Sequence, residues 1–107
     1  MIDRIDVQQF QDAEGVEDWR VVNGQAYAYF RTGSFAKGVA LIDAIGPLAD
    51  AANHHPDVNL RYAGVTVRLV THEVDGLTTR DLDLARHVSA AAHRLGVPAD
   101  PTELMPF

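Results

Sequence analysis

The chain has 107 residues, no cysteine and a formal net charge of −6, from 15 acidic and 9 basic residues. Disulfides, thiolate metal sites and cysteine nucleophiles are excluded, and scattered arginines with Lys37 as the one lysine argue against a nucleic-acid partner. The length fits a single domain over residues 1–107; no apolar run approaches the ~20 residues of a membrane span and no apolar signal core follows Met1, so a cytoplasmic protein without a membrane partner is expected.

Asp6 caps a first short helix over residues 6–14. Gln9 is placed to reach back as in a capping box, Val7, Phe10 and Ala13 form one apolar face, and Gly15 stops it. Trp19 to Val22 and Gln25 to Arg31 read as strands of a β-hairpin. The Asn23-Gly24 pair between them suits a type I′ turn, where both central residues take positive φ. Ser34 caps a second helix over residues 35–52, with Phe35, Val39, Ile42, Ile45, Ala49 and Ala52 as its apolar stripe. Gly38 weakens that helix, and Pro47 is expected to kink it or restart it. Asp57 to Tyr62 is a third strand, Ala63-Gly64 a turn, and Val65 to His72 the clearest strand in the chain, with Val65, Val67 and Leu69 on one face. Thr78 caps a last helix to about Leu95, whose stripe is Leu82, Ala85, Val88, Ala92 and Leu95. Gly96 and Pro98 end it, and residues 96–107 form an extended tail without periodicity beyond a core of about residues 7–95. The order α-β-β-α-β-β-α, with each strand pair joined by a tight turn, predicts an α+β fold. Its four-stranded antiparallel sheet has three helices packed on one face and leaves the other face free.

Three of the five histidines fall within about twenty positions. His54-His55-Pro56 follows the second helix, and Pro56 forces His55 out of helical geometry, so the two rings point in different directions. That pattern reads equally as a polar helix-exit loop and as a site. His72, at a strand end, reads either as a partner of Glu73 or Asp75 in a surface loop or as a site residue. Asp81, three residues after Thr78, stands where a capping-box acid belongs. His87 and His93 have no partner discernible in the sequence. A zinc site fits poorly, because two ligands are adjacent on extended chain and no helical His-x-x-x-His pair occurs; no metal is expected. Histidines without metal, a nucleophile elbow or a phosphate loop favour general acid–base proton transfer, such as dehydration or isomerisation.

Asp50, Asn53-His54-His55-Pro56, Tyr62, Val65-x-Val67-x-Leu69-x-Thr71-His72, Gly76-Leu77-Thr78 and Asp81-x-x-x-Ala85, with Trp19, Phe30 and Phe35 upstream, together resemble the pterin-4a-carbinolamine dehydratases over nearly the whole domain. The resemblance implies a cofactor-free hydro-lyase that removes water from 4a-hydroxytetrahydrobiopterin to give quinonoid dihydropterin, in tetrahydrobiopterin recycling. It implies His54, His55 and His72 as catalytic residues, Asp50, Thr71 and Asp81 as substrate-binding residues, with Asp81 beside the site to orient a histidine as well as to cap the helix, a small-molecule pterin as partner, and a homodimer or homotetramer. Two departures stand out: Val58 where members of that family often carry tryptophan, and Pro47 within the second helix. The alternative is a catalytically silent binding or assembly module on the same fold. Relatives of that kind, such as Rubisco assembly factors, tend to lose the histidines that this chain keeps.

Overall fold

The computed structural model describes residues 3–107. Asp6 caps α1 (Val7–Asp12) with the full capping box: its carboxylate accepts from the Gln9 amide, and the Gln9 side chain accepts from the Asp6 amide. β1 (Arg20–Val22) and β2 (Gln25–Arg31) are joined by Asn23 and Gly24 at φ 52° and 77°. Val22 pairs with Gln25, as the type I′ turn requires. Trp19 precedes the strand and is wholly buried.

Ser34 accepts from the Lys37 amide and starts α2 (Phe35–Ala52), which runs unbroken through Gly46-Pro47 rather than restarting there. Its buried face is Gly38, Leu41, Ile45 and Ala49. Of the expected stripe only Ile45 and Ala49 are buried, and Phe35 and Val39 are half exposed. The reason is Gly38: a Cβ there would lie 2.5 Å from Leu60 Cδ1 and 3.3 Å from Val65 Cγ2. A residue without a side chain lets α2 approach the sheet closely, and that contact rotates the helix away from its most hydrophobic stripe.

β3 (Asp57–Leu60) and β4 (Gly64–Leu69) are each shorter than expected. β4 stops before His72 because Thr71 pairs instead with Gly76, closing a small loop that contains a 3-10 turn (His72–Val74) and Asp75 at φ 49°. Thr78 then caps α3 (Thr79–Arg94), and Gly96 follows in the left-handed region at φ 71°. Of the stripe expected on α3, Ala85, Val88 and Ala92 are buried while Leu82 and Leu95 only border the core; Leu84, Ser89 and Ala91 join the buried face.

The sheet is antiparallel throughout, in the order β1-β2-β4-β3. Ala26, Ala28 and Phe30 of β2 and Val65, Val67 and Leu69 of β4 form its inner face. They share one apolar cluster with Phe10, Leu41, Ile45, Leu84, Val88 and Ala92 of the three helices. The fold class and element order expected from the sequence are those observed.

The outer face is not free along its whole length. The tail first pairs along the edge of β2 beyond β1, where the Arg31 amide donates to the Pro98 carbonyl and the Asp100 amide to the Tyr29 carbonyl. The tail then makes a 3-10 turn (Pro101–Glu103) and ends with Phe107 against Tyr27 on the outer face. Residues 96–107 are therefore docked on the sheet. Their contacts are with strand residues far away in sequence, which no local periodicity encodes. No helix of the described residues is long and apolar enough to cross a membrane.

Candidate active site

The C-terminus of α2 determines where the double histidine goes. Asn53 takes the left-handed conformation (φ 48°, ψ 43°), which asparagine tolerates better than most side chains. The reversal brings the His54 amide back to the Ala49 carbonyl at 3.1 Å. His54 then points inward, its side chain 7% exposed, and His55 points outward at 58%. Pro56 carries the chain into β3. The divergence expected of adjacent histidines on extended chain is what the backbone produces.

His54 meets the start of α3. Its Nε2 lies 2.5 Å from Asp81 Oδ1. The other carboxylate oxygen, Oδ2, accepts from the Thr71 hydroxyl at 2.7 Å and from the Thr78 amide at 2.9 Å. The Thr71 and Thr78 hydroxyls are themselves 2.9 Å apart. Asp81, Thr71 and Thr78 have no exposed surface. Asp81 thus performs two tasks with one carboxylate: Oδ2 closes the capping box of α3, and Oδ1 holds the imidazole. With Asp81 ionised, Nε2 carries the proton of this pair and Nδ1 is left for other chemistry. Thr78 is pinned from the opposite side, where Ile5 pairs with Leu77 and Arg4 with Thr78.

His54, His55 and His72 come together around one open pocket of about 340 Å³, bordered also by Asn53, Val70, Glu73 and Arg80. That volume is within the range of small-molecule sites, roughly 300–1,000 Å³. His55 Nε2 is 3.0 Å from Asp50 Oδ1 on the last turn of α2. His72 is an exposed residue at the start of the 3-10 turn. Asp50 is therefore at the rim. Thr71 and Asp81 do not line the pocket; they stand behind His54. Both are completely buried, and their polar atoms are used within the protein.

The matching family model is that of the pterin 4 alpha carbinolamine dehydratases, and it covers residues 3–91. The chain belongs to this family. Among similar proteins of this dehydratase name, each given as "Putative pterin-4-alpha-carbinolamine dehydratase", one from Nocardia farcinica is 37% identical over 74% of this chain and 83% of its own length. Another, from Halobacterium salinarum, is 40% identical over 80% of this chain and 93% of its own. A transcriptional coactivator/pterin dehydratase of Brucella melitensis superposes with a TM-score of 0.77 at 25% identity, over 84% of this chain and 99% of that one. A pterin dehydratase-like protein described as a RuBisCO assembly factor of the alpha-carboxysome shares the fold, with a TM-score of 0.59 at 24% identity over 71% of this chain and 90% of that one.

One feature of this dehydratase-family pocket escapes the sequence reading. Arg80 spans its rim, donating to Glu73 Oε2 at 3.1 Å and to the Asn53 carbonyl at 3.0 Å. It ties the end of α2 to the 3-10 turn that carries His72. A signal existed: a cation in the first turn of a helix opposes the macrodipole and needs a compensating contact. Glu73 is held below its ordinary carboxyl value, first by its own backbone amide and then by Arg80. Val58, the departure visible in the sequence, does not line this pocket. It pairs with Val67 on the inner face and packs against the core, away from the histidines. A smaller residue here alters core packing rather than a wall of the pocket.

Proposed function

We propose that this protein is a hydro-lyase acting on 4a-hydroxytetrahydropterin, of which 4a-hydroxytetrahydrobiopterin is the substrate expected, and that it works by histidine acid–base catalysis without a cofactor. The observation that carries the reading is the convergence of three histidines on one open pocket, one of them clamped by a buried carboxylate.

The reaction needs one proton delivered and one removed. A histidine gives a proton to the departing 4a-hydroxyl, which leaves as water. Another takes the proton of the adjacent ring nitrogen, whose electron pair forms the new double bond of the quinonoid product. Imidazoles suit both steps because their ordinary pKa lies near cellular pH. Asp81 orients His54 through Oδ1. Asp50 does the same for His55 at the rim, in a looser, solvated setting. Thr71 acts through Asp81. His72 and Arg80 border the opening through which the flat ring enters.

The same reading places the protein in the cytoplasm, in tetrahydrobiopterin recycling, as a homodimer or homotetramer. The exposed Phe35 and Val39 on α2 are apolar surface that a second copy would cover, and light scattering measures the resulting mass. The decisive experiment is kinetic. Purified protein is expected to accelerate dehydration of chemically generated 4a-hydroxytetrahydropterin, and His54→Ala or His72→Ala to lower that rate by about 10²-fold or more. A folded protein with no acceleration, or variants with undiminished rates, would leave the silent assembly module as the better description.

A further inference from the structure

On the outer sheet face, opposite the core and apart from the histidine pocket, Phe107 is held as a ligand would be. Its ring packs edge-on against Tyr27, with centroids 6.1 Å apart, and lies under the Arg68 guanidinium at 4.5 Å. Its main-chain oxygen accepts from Arg68 Nη1 at 2.5 Å and from the Tyr27 hydroxyl at 3.3 Å. Arg68 is not free to wander. Its Nε and Nη2 are on Asp57 Oδ2 at 3.3 and 3.0 Å, so one edge of the guanidinium is fixed and Nη1 projects from the other. The sheet itself sets this arrangement: Tyr27, Arg68 and Asp57 are register partners across β2, β4 and β3. With the tail in place Tyr27 is 4% exposed and Phe107 41%. Beside Phe107 lies an open cavity of about 320 Å³, bordered by the polar residues Tyr29, Asn59 and Thr66 of the sheet and by Met105 and Pro106 of the tail. The surface accommodates more than the ring it holds.

We propose that Tyr27 and Arg68 form a second binding site, for a small aromatic carboxylate, which the protein's own tail occupies through Phe107. A ligand carboxylate pairs with Arg68 through a doubly charged bond, shorter and stronger than a neutral one. The ring keeps its cation–π and edge-to-face contacts. Tethering makes Phe107 a competitor at roughly millimolar effective concentration, so a free ligand must displace it.

The probe is 3-phenylpropionate, titrated into the protein and followed by NMR at the Tyr27 ring and the Arg68 Nε–H. In Phe107→Ala, whose altered side chain is on the surface, saturable shifts at both groups are expected. In the intact chain binding is expected to be weaker by about tenfold or more, with the Phe107 ring resonances moving as it is displaced. Adding Arg68→Gln to Phe107→Ala is expected to weaken binding at least about tenfold, and 3-cyclohexylpropionate to bind correspondingly worse than the aromatic probe. Absence of saturable shifts in a folded Phe107→Ala protein would overturn the proposal. So would equal affinity in the intact chain, or affinity indifferent to Arg68. None of these readouts depends on the dehydratase reaction, so the site stands or falls separately from it.

Discussion

The carboxylate of Asp81 is the residue on which the proposed chemistry and the local fold both depend. Asp81→Asn keeps the shape and removes the charge. Its amide still accepts through one oxygen, but it presents NH2 either to the His54 imidazole or to the two donors now on Oδ2. His54 then loses the tautomer that the carboxylate imposes, or the capping box opens. The expected result is a loss of kcat of about 10²-fold together with about 1–3 kcal/mol of stability, because a buried donor is left without its partner. Urea denaturation and steady-state dehydration kinetics measure the two effects separately; a variant of full activity would remove the role given to the His54–Asp81 pair. The Glu73–Arg80 pair gives a prediction in pH. Glu73 has a lowered folded value, so its contribution to stability is present above the ordinary 4.5 and is lost as pH falls through the lowered value. In Arg80→Ala the Glu73 titration, followed by carboxyl-carbon NMR, moves up toward 4.5 but stays below it, because the backbone amide, the larger cause, remains.

Secondary-structure elements were legible in the sequence wherever a local interaction sets them. Asp6 with Gln9, Ser34, and Thr78 with Asp81 are caps whose partners lie three residues away, and all three helix starts follow them. Asn23-Gly24 fixes its hairpin by the positive φ of both residues. What was not legible depends on neighbours distant in the chain. The buried face of α2 is chosen by the approach of Leu60 and Val65 to Gly38, and a glycine carries no hydropathy to announce it. The end of β4 depends on the pairing of Thr71 with Gly76. The candidate site was half legible: the histidines and Asp81 beside them could be named as candidates, but not that Asp81 and Thr71 are wholly buried behind His54, since only the folded packing buries them. The hairpin offers a test at this scale. Gly24→Ala places a Cβ in the left-handed region at φ 77°, where nothing crowds it, so the cost is conformational alone. It is expected to lower stability by about 1–2 kcal/mol, read from the urea midpoint, with dehydratase kinetics unchanged because the turn is remote from the histidine pocket.

In the whole molecule, the site is a junction between layers. His54 comes from the end of α2, Asp81 from the start of α3, and Thr71 from the chain leaving β4, so their geometry holds only while the helices stay seated on the sheet. At the other end of α3 the seating is done by Trp19. It is fully buried, meets Phe30 of β2 edge-on at 6.4 Å, and donates through Nε1 to Ser89 Oγ at 2.9 Å. That bond spans 70 positions of sequence, from the segment before β1 to the inner face of α3. Trp19→Phe removes both the donor and part of the ring. Ser89, buried among apolar neighbours, loses its partner at a cost of about 1–3 kcal/mol, and the smaller ring leaves a void that adds to it. Ser89→Ala, by contrast, removes the acceptor and leaves the indole N–H unpaired, so it costs a similar desolvation term without the void. The double variant, with both polar partners gone, is expected to be less destabilised than the sum of the two, by about 1 kcal/mol or more, because no unpaired polar group remains. Circular dichroism in urea measures all three. Additive losses would mean that the hydrogen bond contributes nothing beyond packing; a sub-additive double variant would identify it as the polar clamp that holds α3, and with it Asp81, on the sheet.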